Sequence, residues 1–188
     1  MGMHDDDDIK IAPSSFSEKA HMVDLGEEAA RQFLEQKENG NIEKARILGK
    51  SFADDIVHIE DGPLKQPDKP RTQRELHHQI VLYSYVVNRV IAEHSPNSIV
   101  AQTCLNVFYT AIESASKALH KHVSDMAAFS LYVLCERTPN RSDDQIGVTY
   151  ARLCDFEGAS DVIEDGNDFY KRVYDHCWDK LIEIGYIA

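Results

Sequence analysis

From residue 27 onward the apolar positions recur every three to four residues rather than every second one, the period of helices and not of strands. Ile42, Ala45, Leu48, Phe52, Ile56 and Ile59 fall on one stripe and predict an amphipathic helix over 42–59. Segments 27–38 and 161–184 have the same division into an apolar stripe and a charged face. Segments 80–92 and 126–135 are apolar nearly all round, which predicts helices in the middle of the assembly, wrapped by the amphipathic ones.

Turn residues support this reading. Between Arg71 and Ile146 there is no glycine, and the only prolines are Pro96 and Pro139, so β-hairpins have nowhere to turn. Thr72-Gln73-Arg74-Glu75 has the form of a capping box and opens a helix to about His94. Ser95-Pro96-Asn97-Ser98 makes a short turn, and the next helix runs to about His120, which gives a central αα-hairpin over 72–120. Ser124 is placed to cap a helix through 126–135, Ser142 one that reaches about Asp155, and Ser160 or Asp161 the last, which reaches about Ile184. Asn39-Gly40-Asn41 and Gly158 separate neighbouring helices. Pro63, Pro67 and Pro70 predict an extended linker over 62–71, and the acidic residues 1–14, which lack any amphipathic pattern, predict a disordered tail. The expected fold is all-α: a single domain over 15–188 built as a bundle of six or seven antiparallel helices. Segment 29–53, with Phe33, Gly40, Asn41, Glu43-Lys44-Ala45 and Leu48, resembles a tetratricopeptide-like helix pair, and the turn at Gly158 is similar. No 34-residue period joins the two, so a repeat array is not the expected architecture.

Composition narrows the partners. The chain has 188 residues, 43% of them hydrophobic, and 20 Lys and Arg against 32 Asp and Glu, a formal charge of −12. Nucleic acid and anionic membrane surfaces both require concentrated basic residues, which this chain lacks. The longest uncharged run, 95–112, holds Ser95, Asn97, Gln102, Thr103 and Asn106 and is no bilayer span. Met1-Gly2-Met3-His4 followed by four Asp lacks the form of a signal peptide, and a cytoplasmic location is expected. Cys104, Cys135, Cys154 and Cys177 are widely spaced in apolar or amphipathic segments and read as reduced core thiols.

The candidate chemistry lies in the hairpin. Glu75 and His78 are three residues apart on one helix face, the Glu-x-x-His spacing of metal-binding bundles. If the hairpin folds at Pro96, His78 and Glu113 stand at the same level, as do Glu75 with Lys117 and Thr72 with His120. Glu75, His78 and Glu113 are therefore the candidate ligands of a divalent metal, the one cofactor considered. His120 and His122, two apart, point in different directions on a helix and would chelate only if the chain leaves the helix there. Gln102, Asn106, Tyr109 and Glu113 line one face of the second hairpin helix, with Asn88 and Arg89 near the same level on the first. Arg89, Asn106, Tyr109 and Glu113 are thus the candidate small-molecule site, since an inward Arg needs an anionic partner. The stripe of Phe169, Tyr170, Val173, Tyr174, Cys177, Trp178 and Leu181 reads as core packing. Asp175-His176-Cys177 sets a thiol beside an imidazole in sequence, but neighbouring helical positions face about 100° apart.

No nucleophile elbow, Walker loop, dinucleotide fingerprint or zincin motif is present. The expected function is a non-enzymatic one, the binding of a protein partner or of a second copy of the chain. The alternative is a small-molecule or metal site, with or without catalysis, between the hairpin helices.

Overall fold

The computed structural model describes residues 15–62, 64–65, 72–137 and 145–186. The acidic tail, most of the proline linker and the cap expected at Ser142 lie outside the described residues. The described residues form eight helices and no strand: α1 (Ser15–Glu38), α2 (Asn41–Val57), α3 (Gln73–His94), α4 (Ser98–Ala115), α5 (Lys117–Val123), α6 (Met126–Arg137), α7 (Gln145–Leu153) and α8 (Ser160–Glu183).

The helix ends follow local chemistry. Gly40 has φ 82°, a left-handed conformation that costs glycine little, and it turns the chain from α1 into α2. The Thr72 side chain accepts from the Glu75 backbone N–H at 3.1 Å while Glu75 Oε2 accepts from the Thr72 N–H at 2.7 Å, the capping box read from the sequence. Asn97 Oδ1 caps α4 through the Val100 N–H at 3.0 Å. Two expected caps move. Asp125, not Ser124, accepts from Ala128 at the head of α6, and α8 begins after Ala159 with no side-chain cap.

The predicted second hairpin helix is two helices. Ser116 leaves the helical conformation at φ −158°, ψ 116°, and its hydroxyl accepts from the Leu119 N–H at 3.3 Å, ending α4 and opening α5. This break adds a helix to the expected number.

Helix α3 is the centre: residues His78 to Val87, Val90 and Ile91 are buried, and it touches each of α2, α4, α5, α6, α7 and α8. The whole predicted stripe of α2 is buried too. Helix α4 buries only Val100, Cys104, Phe108 and Ile112, a one-sided stripe, and lays its main contact on α2 rather than on α3. That contact is close, because a Cβ on Gly49 would stand 2.3 Å from the Cys104 carbonyl oxygen. The crossing of α7 and α8 is equally tight: a Cβ on Gly166 would stand 2.8 Å from Tyr150, and Asn167 Oδ1 accepts from the Gly147 N–H at 2.7 Å.

Helix α6 is not an inner helix. Met126 and Leu134 are 60% and 59% exposed, and among the described side chains of α6 only Ala128, Tyr132 and Cys135 are buried. The four cysteines are free and buried, and Phe169, Val173, Cys177 and Leu181 of α8 are fully enclosed. No helix among the described residues is long and apolar enough to cross a membrane.

Candidate functional site

The predicted hairpin residues separate. Tyr109 turns toward α3, where its hydroxyl meets Ser84 Oγ at 3.1 Å and accepts from Asn88 Nδ2 at 2.8 Å. Arg89 points at α8: Nε donates to Glu93 Oε1 at 3.0 Å, an amino group donates to the Tyr170 hydroxyl, and the guanidinium lies 5.8 Å from the centre of the Tyr174 ring. The concavity beside it, about 440 Å³, also presents Asp168 and Asp175, which oppose an anionic ligand as much as Arg89 and Lys171 favour one. Asn106 and Glu113 are exposed on α4.

The three candidate metal ligands are placed apart in role. Glu75 is spent on the capping box, His78 is buried, and Glu113 faces solvent. Among the described residues no hydrogen bond or ion pair joins Glu113 to either, and no group of three or more His, Cys, Asp and Glu side chains is arranged to hold a metal ion. The cause is the packing of α4, which lays its main contact on α2 rather than on α3, so Glu113 is carried to the solvent side although it precedes the break at Ser116.

Two clusters that the sequence did not reveal join distant helices. In the first, Asp55 Oδ2 on α2 accepts from Lys180 Nζ at 2.6 Å, from the Tyr83 hydroxyl at 2.9 Å and faces His176 Nε2 at 2.9 Å. Lys180 also donates to Ser51 Oγ at 2.6 Å. Burial alone would raise the Asp55 pKa, but the His176 and Lys180 contacts outweigh it and hold the carboxyl below its ordinary range. These contacts join side chains of α2, α3 and α8, so the cluster clamps the three helices together. His176 turns to Asp55 while Cys177 enters the core, where burial raises its thiol pKa. The adjacent pair in sequence is thus no dyad in space.

In the second cluster His77 of α3 stands between two partners of the α5–α6 region: its Nδ1 faces His122 Nδ1, and its Nε2 lies 3.1 Å from Asp125 Oδ2. The His78 ring packs edge-on against His77 at 4.6 Å.

A groove of about 620 Å³ lies open between α2 and α4. Val107, Thr110, Ala111, Ser114 and Ala115 of α4 form one wall and floor, and Lys50 and Asp54 of α2 form the other. Its cause is local: on this face α4 carries small side chains, so the close crossing at Gly49 opens into a channel instead of being filled. Ile47, Lys50, Asp54 and Val57 share one face of α2 by their three-to-four spacing, and Ile47 is 50% exposed. Asn106 is the one predicted site residue that belongs to this groove. The stripe of Val107, Ala111 and Ser114 was the signal available in the sequence; without knowing that α4 packs on α2, it reads as ordinary helix surface.

The fold and this groove define a helical bundle with an open, mainly apolar channel between α2 and α4. No protein-family model, curated protein or solved structure matches the chain.

Proposed function

We propose that the protein acts by binding a helical segment of another protein in the groove between α2 and α4. The observation that carries this reading is the groove itself: a concavity of about 620 Å³ floored by Val107, Ala111 and Ala115 with only Lys50 and Asp54 as charged walls. Such a channel suits an amphipathic helix that lays its apolar face against Val, Ala and the exposed Ile47. The chain's charge of −12 favours a partner whose remaining faces are basic, because complementary fields steer association. Burial raises the thiol pKa of Cys104, Cys154 and Cys177, which gives these cysteines no support as nucleophiles.

The test is a fluorescence-anisotropy titration with a labelled amphipathic helical peptide that has leucines at i, i+3, i+4 and i+7 and lysines elsewhere. Saturable binding is expected, weakened by about tenfold or more in Ala111→Glu. The substitution adds negative charge, so non-specific attraction of a basic peptide would grow; loss of binding therefore reports occupation of the groove. Equal or tighter binding to Ala111→Glu would contradict the reading. Concentration-dependent mass in sedimentation, abolished by the same substitution, would transfer the groove to a second copy of the chain.

A further inference from the structure

His77 and His122 meet nitrogen to nitrogen across the boundary between α3 and α5, each ring with its Nδ1 turned to the other. Such a contact holds one proton and no more, because one Nδ1 donates and the other must offer its lone pair. On the far side of the His77 ring, Nε2 lies 3.1 Å from Asp125 Oδ2, and a carboxylate only accepts, so Nε2 carries a proton. The Nδ1 of a neutral His77 is then the lone pair, and His122 donates to it.

Further protons added to this arrangement are not equivalent. The first can sit on His122 Nε2, outside the contact, and leaves the N–H···N bond in place. The second has only His77 Nδ1 left to occupy, which sets N–H against N–H and one cationic ring against another. We propose that this contact is an acid-sensitive latch: it holds α5 and the turn at Asp125 to α3 while the pair carries at most one positive charge, and it releases them when both rings are charged.

The surroundings favour release. Arg74 on α3 and Lys121 on α5 bring fixed positive charge to the cluster, while His78, edge-on to His77 at 4.6 Å, is held by burial at a pKa of about 4 and stays neutral from pH 7 to 5. Asp125 is the carboxylate that faces the pair. Its Oδ1 accepts from the Ala128 N–H at 3.1 Å, which keeps it ionised in mild acid, but it balances one cation only. Among the neighbouring acids Asp155, beyond α7, is paired with Arg74, Glu75 closes the capping box, and Glu113 of α4 faces solvent. Helix α5 is weakly anchored: of its seven residues Val123 alone is buried, and the chain leaves the helical conformation at Ser116 and Ser124 on either side. Once α5 is released, both imidazoles titrate near 6.5, so below that pH the released state binds more protons than the latched one. The latch is therefore complete above pH 6.5 and is lost as pH falls through the lower pKa of His122, which burial, His77 and Lys121 depress.

The experiment is native-state hydrogen exchange of the full chain at pH 7 and pH 5, read as protection factors corrected for the intrinsic pH dependence of exchange. The amides of His120 and Ser124, bonded to the Ser116 and His120 carbonyls, are expected to lose protection by about tenfold or more, and several-fold more than Leu48 and Phe52 of α2. His122→Gln keeps a hydrogen-bonding side chain that does not titrate and should remove this pH dependence. His77→Gln should remove it from the opposite side of the contact, and His120→Gln should leave it in place. Protection of α5 that does not change between the two pH values, a loss shared equally by α2, or a pH dependence that persists in both His122→Gln and His77→Gln would each overturn the latch.

Discussion

Asp55 shows how much one side chain can organise. A carboxylate placed among Lys180, Tyr83 and His176 satisfies three donors from two other helices, and each of those donors would otherwise be left in a largely closed environment. Asp55→Ala is expected to cost about 3–5 kcal/mol of folding free energy, because removing one partner of an enclosed ion pair strands the other. Urea unfolding followed by far-UV circular dichroism reads this directly. The solvent-exposed pair of Arg31 with Glu28 is the contrast: Arg31→Ala should change stability by less than about 1 kcal/mol. Similar losses in the two variants would remove the clamp interpretation. Neither role was legible in the sequence, where Asp55 sits beside Asp54 in an acidic pair on a helix. The distinction between them is that residue 55 adjoins the buried stripe through Phe52 and Ile56, whereas Asp54 faces the groove.

At the scale of elements, close helix crossings rest on missing side chains. A Cβ at Gly166 would meet Cβ, Cγ and Cδ1 of Tyr150 within 2.9 Å, and the near end of that ring cannot swing away without moving α7. Gly166→Ala should destabilise by about 1–3 kcal/mol through overpacking, despite alanine's higher helix propensity. Gly26 in α1 has nothing within 4 Å, so Gly26→Ala should be neutral or stabilise by up to about 1 kcal/mol. Thermal melts of the pair decide it, and stabilisation in both variants would mean that α7 and α8 do not cross where the structure puts them.

The same scale shows where reading a sequence succeeds. The stripe of α2 and the box at Thr72 are local patterns with a single physical solution, and both are as expected. Ser116 was missed because the surrounding Ala, Leu and Lys favour helix on both sides of it; its hydroxyl as a cap for Leu119 was the available clue. Uniform apolarity does not by itself mean enclosure: in α6 Met126 and Leu134 face outward. The meeting of His77 with His122 spans 45 residues and depends on the Ser116 break, so no pattern along the chain contains it. The groove needs the pairing of α2 with α4, which the hairpin reading assigned to α3.

For the molecule as a whole, acid is the revealing perturbation. In the unfolded chain a histidine titrates near 6.5, whereas in the folded protein burial, His77 and Arg74 bring His78 to about 4. Between those values the unfolded state binds more protons, so stability conferred by neutral His78 is complete above pH 6.5 and is lost progressively down to about 4. Asp55 and Asp125, both held below 3.8, lose their contributions lower still. Relief of repulsion within a chain of charge −12 acts in the other direction, so the comparison must isolate one group. Denaturant unfolding should show a shallower loss of stability from pH 6.5 to 4 in His78→Gln than in the unaltered protein. Parallel profiles would contradict the enclosure of His78.

The central claim concerns the channel between α2 and α4 and is tested most directly by methyl chemical-shift mapping of the full chain titrated with the basic amphipathic peptide. The account predicts shift changes concentrated on the methyl groups of Ile47, Val107, Ala111 and Ala115, with Met126, Leu134 and Ile182 undisturbed. Changes centred on Met126, Leu134 or Ile182, with the α2–α4 methyl groups unmoved, would contradict it.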